Sequence, residues 1–308
     1  MAASATVVAS TAPRRRLGRA VLPYLLSLPA LLVCIGILVP FGTAVWYSLQ
    51  RYNLNLPMMR GFIWFDQYVQ LFQSAAFWNT VKVSLLYTFL TVGVELLLGL
   101  GIALLLRRPG RFNNALSIAL LLPLMVAPAI AALMWKLMTH PDFGIFSYLL
   151  SLVGVHDFRW ASDPSTALFT VVLVDVWVYT PFIMILLLAG LRSLPRQPFE
   201  AAELDGVPAS FVFFRITLPM LMPYILTASL FRMLDSLQQF DIVYAMTQGG
   251  PGNATLVFQV QAYLDFFKNF NVGRSAAMLL VLWLIAHLLS QQFIKQWLRL
   301  RERAHGSA

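Results

Sequence analysis

Four ionisable side chains lie deep inside long apolar runs: Glu95, Asp175, Arg232 and Asp235. A charge near a bilayer centre costs roughly 2.5 to 3.5 kcal/mol on insertion scales, so a position that keeps one is a functional-site candidate. Arg232, Asp235, Ser236 and Gln239 are spaced i, i+3, i+4 and i+7 and share one helical face. Asp175, Val178, Tyr179 and Phe182 form a second stripe that joins a carboxylate to aromatic surface. At about 1.5 Å per residue, Asp175 lies about 14 Å inward from the outer start of its run and Asp235 about 12 Å from the outer end of the next. The two can therefore meet near the midplane. An apolar wall carrying a few placed polar groups is the mix expected of a small-molecule site. Two other readings stay open: a buried ion pair in which Arg232 and an aspartate neutralise each other, and acid-base work by Asp175 and Asp235. Glu95 reads as a structural hydrogen-bonding partner and His287 as a contact between helices.

A second stretch could do chemistry of a different kind. Glu200 to Pro219 reads EAAELDGVPASFVFFRITLP, a polar, turn-containing segment between two apolar runs. Pro195 and Pro198 suit the first turn of a short helix, where a missing N–H is not needed. Glu200, Glu203 and Asp205 complement the positive end of that helix, and Gly206 supplies a reversal. Ala201 and Ala202 keep one face low enough for another protein's backbone to approach. Catalytic signatures are missing: the sequence has no G-x-x-x-x-G-K-[ST] phosphate loop, no H-E-x-x-H and no G-x-S-x-G. ATP binding of the phosphate-loop kind must then reside in another chain, and no catalytic residue or metal ligand is expected here.

The elements that position these residues must be membrane helices. The chain is 59% hydrophobic and 11% charged, where soluble domains average about 45 to 50% and about 25%. Six apolar runs, at about 21–49, 78–106, 112–138, 166–192, 215–243 and 274–297, are each long enough to span as helices. Without strand alternation, only helices satisfy the backbone in lipid, so the expected fold is an all-α membrane protein. The run from 21 to 49 exceeds the h-region of a signal peptide, which predicts a retained first helix. Cys34 sits in it as a small hydrophobe, and one cysteine excludes a disulfide within the chain.

Most of the 22 Lys and Arg fall on one side once the runs alternate. That side holds Arg14, Arg15, Arg16 and Arg19, then Arg107, Arg108 and Arg111, then Arg192, Arg196 and Arg215, then Lys295, Arg299, Arg301 and Arg303, which predicts cytoplasmic N- and C-termini. The organisation is a basic tail (1–20), a transmembrane domain (21–300) with a cytoplasmic loop at 193–219, and a tail (301–308). The net charge of +9 does not point to nucleic acid, because the basic residues edge apolar runs instead of forming an aromatic-laced stripe. Trp46, Tyr47, Tyr52, Trp64 and Trp78 suit an interfacial aromatic belt.

The central loop resembles the EAA signature of permease subunits of bacterial ABC importers, on Glu200, Ala201, Ala202, Gly206, Ile216, Leu218 and Pro219. A second match, on Phe240, Asp241, Val243, Tyr244, Met246, Thr247, Gly249, Gly250 and Pro251, then Gly273, Ala276 and Ala277, is similar to the carbohydrate-uptake branch related to the maltose and glycerol-3-phosphate importer permeases. A third lies in Leu28, Pro29, Ala30, Pro40, Ser48, Leu49 and Tyr52-Asn53-Leu54. Arg274 departs from the bulky residue common after Gly273, and the large extra outer domain of the maltose type is missing.

The resemblance implies a type I importer permease in a bacterial inner membrane, moving a sugar, polyol or related solute by alternating access. It makes Glu200, Ala201, Ala202, Asp205, Gly206, Ile216, Leu218 and Pro219 the coupling loop, and it places the two intramembrane stripes at sugar-lining positions. It implies as partners a second homologous permease, two copies of a cytoplasmic ABC ATPase that use the ATP and Mg, and a periplasmic or lipid-anchored binding protein. No cofactor is expected in this chain. Glycerol-3-phosphate or glycerol is the alternative solute. Outside the family, the competing readings are an intramembrane enzyme acting on a lipid-linked sugar and a self-sufficient ion-coupled transporter.

Overall fold

The computed structural model describes residues 17–306. Most of the basic tail 1–20, with Arg14, Arg15 and Arg16, lies outside the described residues, as do the side chains of Arg19, Arg301 and Arg303. The chain divides into two units, one ending at Trp46 and one starting at Tyr47.

The first unit is nearly all of α1 (Leu17–Ser48). None of its described side chains is buried, and its apolar stretch begins at Leu26. Cys34 is exposed on it.

The second unit opens with a two-residue antiparallel pairing, β1 (Gln50–Arg51) with β2 (Gly61–Phe62), and a single β-bridge joins Asn53 to Asn271. Then come α2 (Asp66–Gln73), α3 (Ala75–Leu105), α4 (Arg111–Leu120), α5 (Pro128–Met138), α6 (Ile145–Leu152), α7 (Pro164–Ser193), α8 (Gln197–Leu204) and α9 (Ala209–Phe211). A π-helical stretch (Val212–Thr217) leads into α10 (Leu218–Leu237). The chain closes with α11 (Asp241–Thr247), α12 (Phe258–Phe267) and α13 (Val272–Gly306).

Among the described residues, five helices are long and apolar enough to cross a membrane, and the fold is helical throughout its core. The run 112–138 is not one helix. It is α4, a 3₁₀ turn (Leu122–Met125) and α5, because Pro123 and Pro128 each lack the N–H that a continuing helix needs. The run expected to reach 243 stops at Leu237, where the Gln239 side chain accepts the Phe240 N–H at 3.1 Å and α11 starts afresh.

The packing centre is the α3–α7 pair. At Gly99 the backbone of α3 meets Ile183 so closely that an added Cβ would sit 2.7 Å from its Cγ2. Apolar side chains fill the space on both sides of this seam: Val171, Val174 and Val178 of α7 with Ile242 and Val243 of α11, and Ile183, Met184 and Leu187 with Leu221 and Ala228 of α10. Asp163 caps α7 by accepting the Ser165 N–H at 2.8 Å, and the Ser165 bonds hold its carboxyl below the usual range. The result is a rigid frame of α3, α7 and α10 around one polar point.

Candidate functional site

That polar point is the guanidinium of Arg232, 1% exposed on α10. Its Nε donates to Glu95 Oε2 at 2.7 Å and its Nη2 to Glu95 Oε1 at 3.0 Å, the two-pronged geometry that favours Arg over Lys. Nη2 also donates to Asp175 Oδ2, and Nη1 reaches Asp235 Oδ2 at 2.8 Å. The flat face of the guanidinium lies 4.1 Å from the Tyr179 ring centroid, a cation–π contact. Gln239 Nε2 donates to the other Asp175 oxygen at 3.0 Å. One cation therefore holds three carboxylates from three helices.

The carboxylates differ in access. Glu95 and Asp175 are fully buried, whereas the side chain of Asp235 is 55% exposed. Asp235 and half-buried Tyr179 are thus the members of the cluster that open outward. The expected stripes are split by this arrangement. Ser236 turns to α3, 2.9 Å from Thr91 Oγ1 and 3.3 Å from Thr88 Oγ1. Val178 is buried in the apolar core, and Phe182 packs against the cluster that holds Ile183, Met184 and Leu187. Gln239 is 7% exposed and spent on Asp175 and its own chain.

Sequence reasoning left two features out. Glu95 was not linked to Arg232, since nothing local ties residues 137 positions apart. An aromatic group follows the cluster along the chain: Phe240 and Tyr244 stack with centroids 4.9 Å apart, and Tyr263 of α12 meets Tyr244 at 4.9 Å. The i, i+4 spacing signals the first pair; Tyr263 has no signal. His287, expected to bridge helices, contacts Trp283 and Gln291 along its own helix instead.

The loop 193–219 forms a second candidate surface. In α8, Ala202 is buried while Glu200 and Ala201 are exposed, as is Asp205 at its C-cap. The helix ends in a Schellman turn: Val207 N–H bonds to Ala202 O at 3.0 Å and Gly206 N–H to Glu203 O at 3.2 Å. Gly206 has φ +65°, which glycine tolerates without a Cβ penalty. Leu204, 89% exposed, stands beside it as an unpartnered apolar knob. Ile216 and Leu218 are half-buried and Pro219 is exposed.

Residues 95–299 match the family described as "binding-protein-dependent transport system inner membrane component". Over 253 residues the chain is 36% identical to the trehalose/maltose transport system permease protein MalF of Thermococcus litoralis, covering 82% of this chain and 84% of that one. It is 32% identical over 270 residues to the sn-glycerol-3-phosphate transport system permease protein UgpA of Pectobacterium atrosepticum, covering 86% and 90%. The fold is similar to a chain of a bacterial alginate ABC transporter crystallised with an alginate pentasaccharide-bound periplasmic protein, with a TM-score of 0.75 at 20% identity over 91% of this chain and 96% of that one.

Proposed function

Because this chain belongs to the family of binding-protein-dependent transport system inner membrane components, we propose that it is one permease subunit of an ATP-driven importer of a sugar, polyol or related carbohydrate. The observation that carries the reading is the family match over 95–299, which takes in Glu95, Asp175, Arg232 and the whole loop Glu200 to Pro219. Relatives named for trehalose/maltose and for glycerol-3-phosphate transport support this solute class. Between these, the cluster favours an uncharged solute. Nε, Nη1 and Nη2 of Arg232 already donate to carboxylates, so no guanidinium there is left for a phosphate. The half-exposed Asp235 and Tyr179 are the groups we assign to solute hydroxyls and a sugar-ring face, with Glu95, Asp175 and Arg232 as their scaffold.

In this proposal the chain crosses the membrane six times, α4 and α5 together forming the third, broken crossing, with both termini in the cytoplasm. The loop 193–219 then faces an ABC ATPase, and α8 is the coupling helix. A second, different permease completes the pathway, two ATPase subunits use the ATP and Mg, and an external binding protein delivers the solute. An enzyme using Asp175 as acid or base is disfavoured, because both Asp175 oxygens are engaged. The test is uptake of labelled sugars by cells carrying this chain with its permease, ATPase and binding protein, against cells lacking each in turn. Uptake requires all of them, and transport by this chain alone would overturn the reading.

A further inference from the structure

At the inner ends of α3 and α7 lies a cavity of about 670 Å³ walled by Arg107, Arg108, Arg192 and Arg196. Glu200 and Glu203 of α8 line it as well, so its four cations face two carboxylates. Among the described residues, none of these four arginines makes an ion pair; Arg192 donates to Leu106 O at 3.1 Å and to Asn114 Oδ1 at 3.3 Å. Those two bonds fix its guanidinium at the cavity edge.

Arg192 also ends a second cavity. It lines a mostly apolar groove of about 280 Å³ between α4 and α7, together with Leu121, Met184 and Leu188 and the exposed Ile118 and Ile185. Met184 in turn belongs to a third, apolar cavity of about 320 Å³ that reaches Trp135 and Leu173. Arg192 is a wall residue of the first two and Met184 of the last two, so the three follow one another along α7, basic at one end and apolar beyond. From Arg192 to Met184 the groove runs about 12 Å along the helix, close to the hydrocarbon depth of one leaflet, about 15 Å.

We propose that these neighbouring cavities form a binding site for one anionic phospholipid, its phosphate among Arg107, Arg108, Arg192 and Arg196 and an acyl chain in the Ile118–Ile185 groove. A phosphate ion matches the basic end alone, and a neutral lipid matches the groove alone; a lipid with a net negative headgroup matches both. Basic pockets between membrane helices at the cytoplasmic face recognise lipid headgroups through this combination. With Glu200 and Glu203 lining the same cavity, the bound headgroup would lie beside α8. The site does not depend on which solute the chain moves, nor on whether it moves one.

The full-length chain, in mild detergent with whatever subunits copurify, is titrated with phosphatidylglycerol and with phosphatidylcholine of the same acyl length, and bound lipid is read by native mass spectrometry. Phosphatidylglycerol is expected to be retained in preference. The exposed double substitution R107Q/R108Q weakens it by about tenfold, and I185W, which fills the groove from its lipid side, weakens both lipids. Excess inorganic phosphate does not displace the lipid. Equal retention of the two lipids overturns the proposal. So does displacement by phosphate together with indifference to I185W, which would identify a free-anion site instead.

Discussion

A single guanidinium, Arg232, decides what happens to three carboxylates. Breaking a buried ion pair by removing one partner costs about 3 to 5 kcal/mol, because the remaining charge is left unpaired in a low dielectric. Glu95→Ala and Asp175→Ala remove buried partners and should abolish accumulation of the assembled protein, read by membrane immunoblot and size-exclusion chromatography. Asp235→Ala removes a half-exposed partner and leaves Arg232 its two buried ones. It should assemble at the parental level while uptake falls, and failure to assemble would return Asp235 to the structural set. The sequence made all four charges legible, because each interrupts an apolar run and burial is costly. It could not show that they share one point. Helical periodicity places Arg232 and Asp235 on a face, but it carries no information on which distant helix, with Glu95 or Asp175, packs against that face.

At the scale of elements, the same limit recurs with a different cause. Gly99 lies one turn beyond Glu95 on α3 and lets α7 approach at Ile183. Gly99→Leu should force the two helices apart, lower the thermal unfolding midpoint of the purified protein and disturb the Glu95–Arg232–Asp175 cluster together; an unchanged midpoint would mean the seam is loose. In the loop, Gly206→Val places a β-branched residue at φ +65°, a strain of roughly 1 to 2 kcal/mol. If α8 docks an ATPase, this change should cost ATPase co-purification and uptake while leaving the chain in the membrane. The helix–turn–helix there was readable, since Pro198 and Gly206 mark its start and reversal. The run 112–138 was misread as continuous because length and apolarity count composition, whereas Pro123 and Pro128 act on backbone hydrogen bonds.

For the whole molecule, the open side of Asp235 is the informative feature. Asp235 stands two residues before the end of α10, and a carboxylate on a membrane helix almost always faces a protein interior or a water-filled cavity. In this chain alone its side chain is 55% exposed, with Gln238 exposed one turn further on. Lipid cannot satisfy either group, whereas a second protein surface enclosing a polar space in front of them would. The homologous permease proposed above supplies such a surface. Expressed without its partner, the chain should be degraded quickly, and pulse–chase labelling should show its lifetime restored by co-expression. Asp235→Leu separates this cause from general misfolding. By making the open face apolar it should lengthen the lifetime of the lone chain, yet give no gain, and lose uptake, when the partner is present. A lone chain that is already long-lived with Asp235 in place would show that the face is closed within one chain, and the need for a second permease would then have to rest on some other surface.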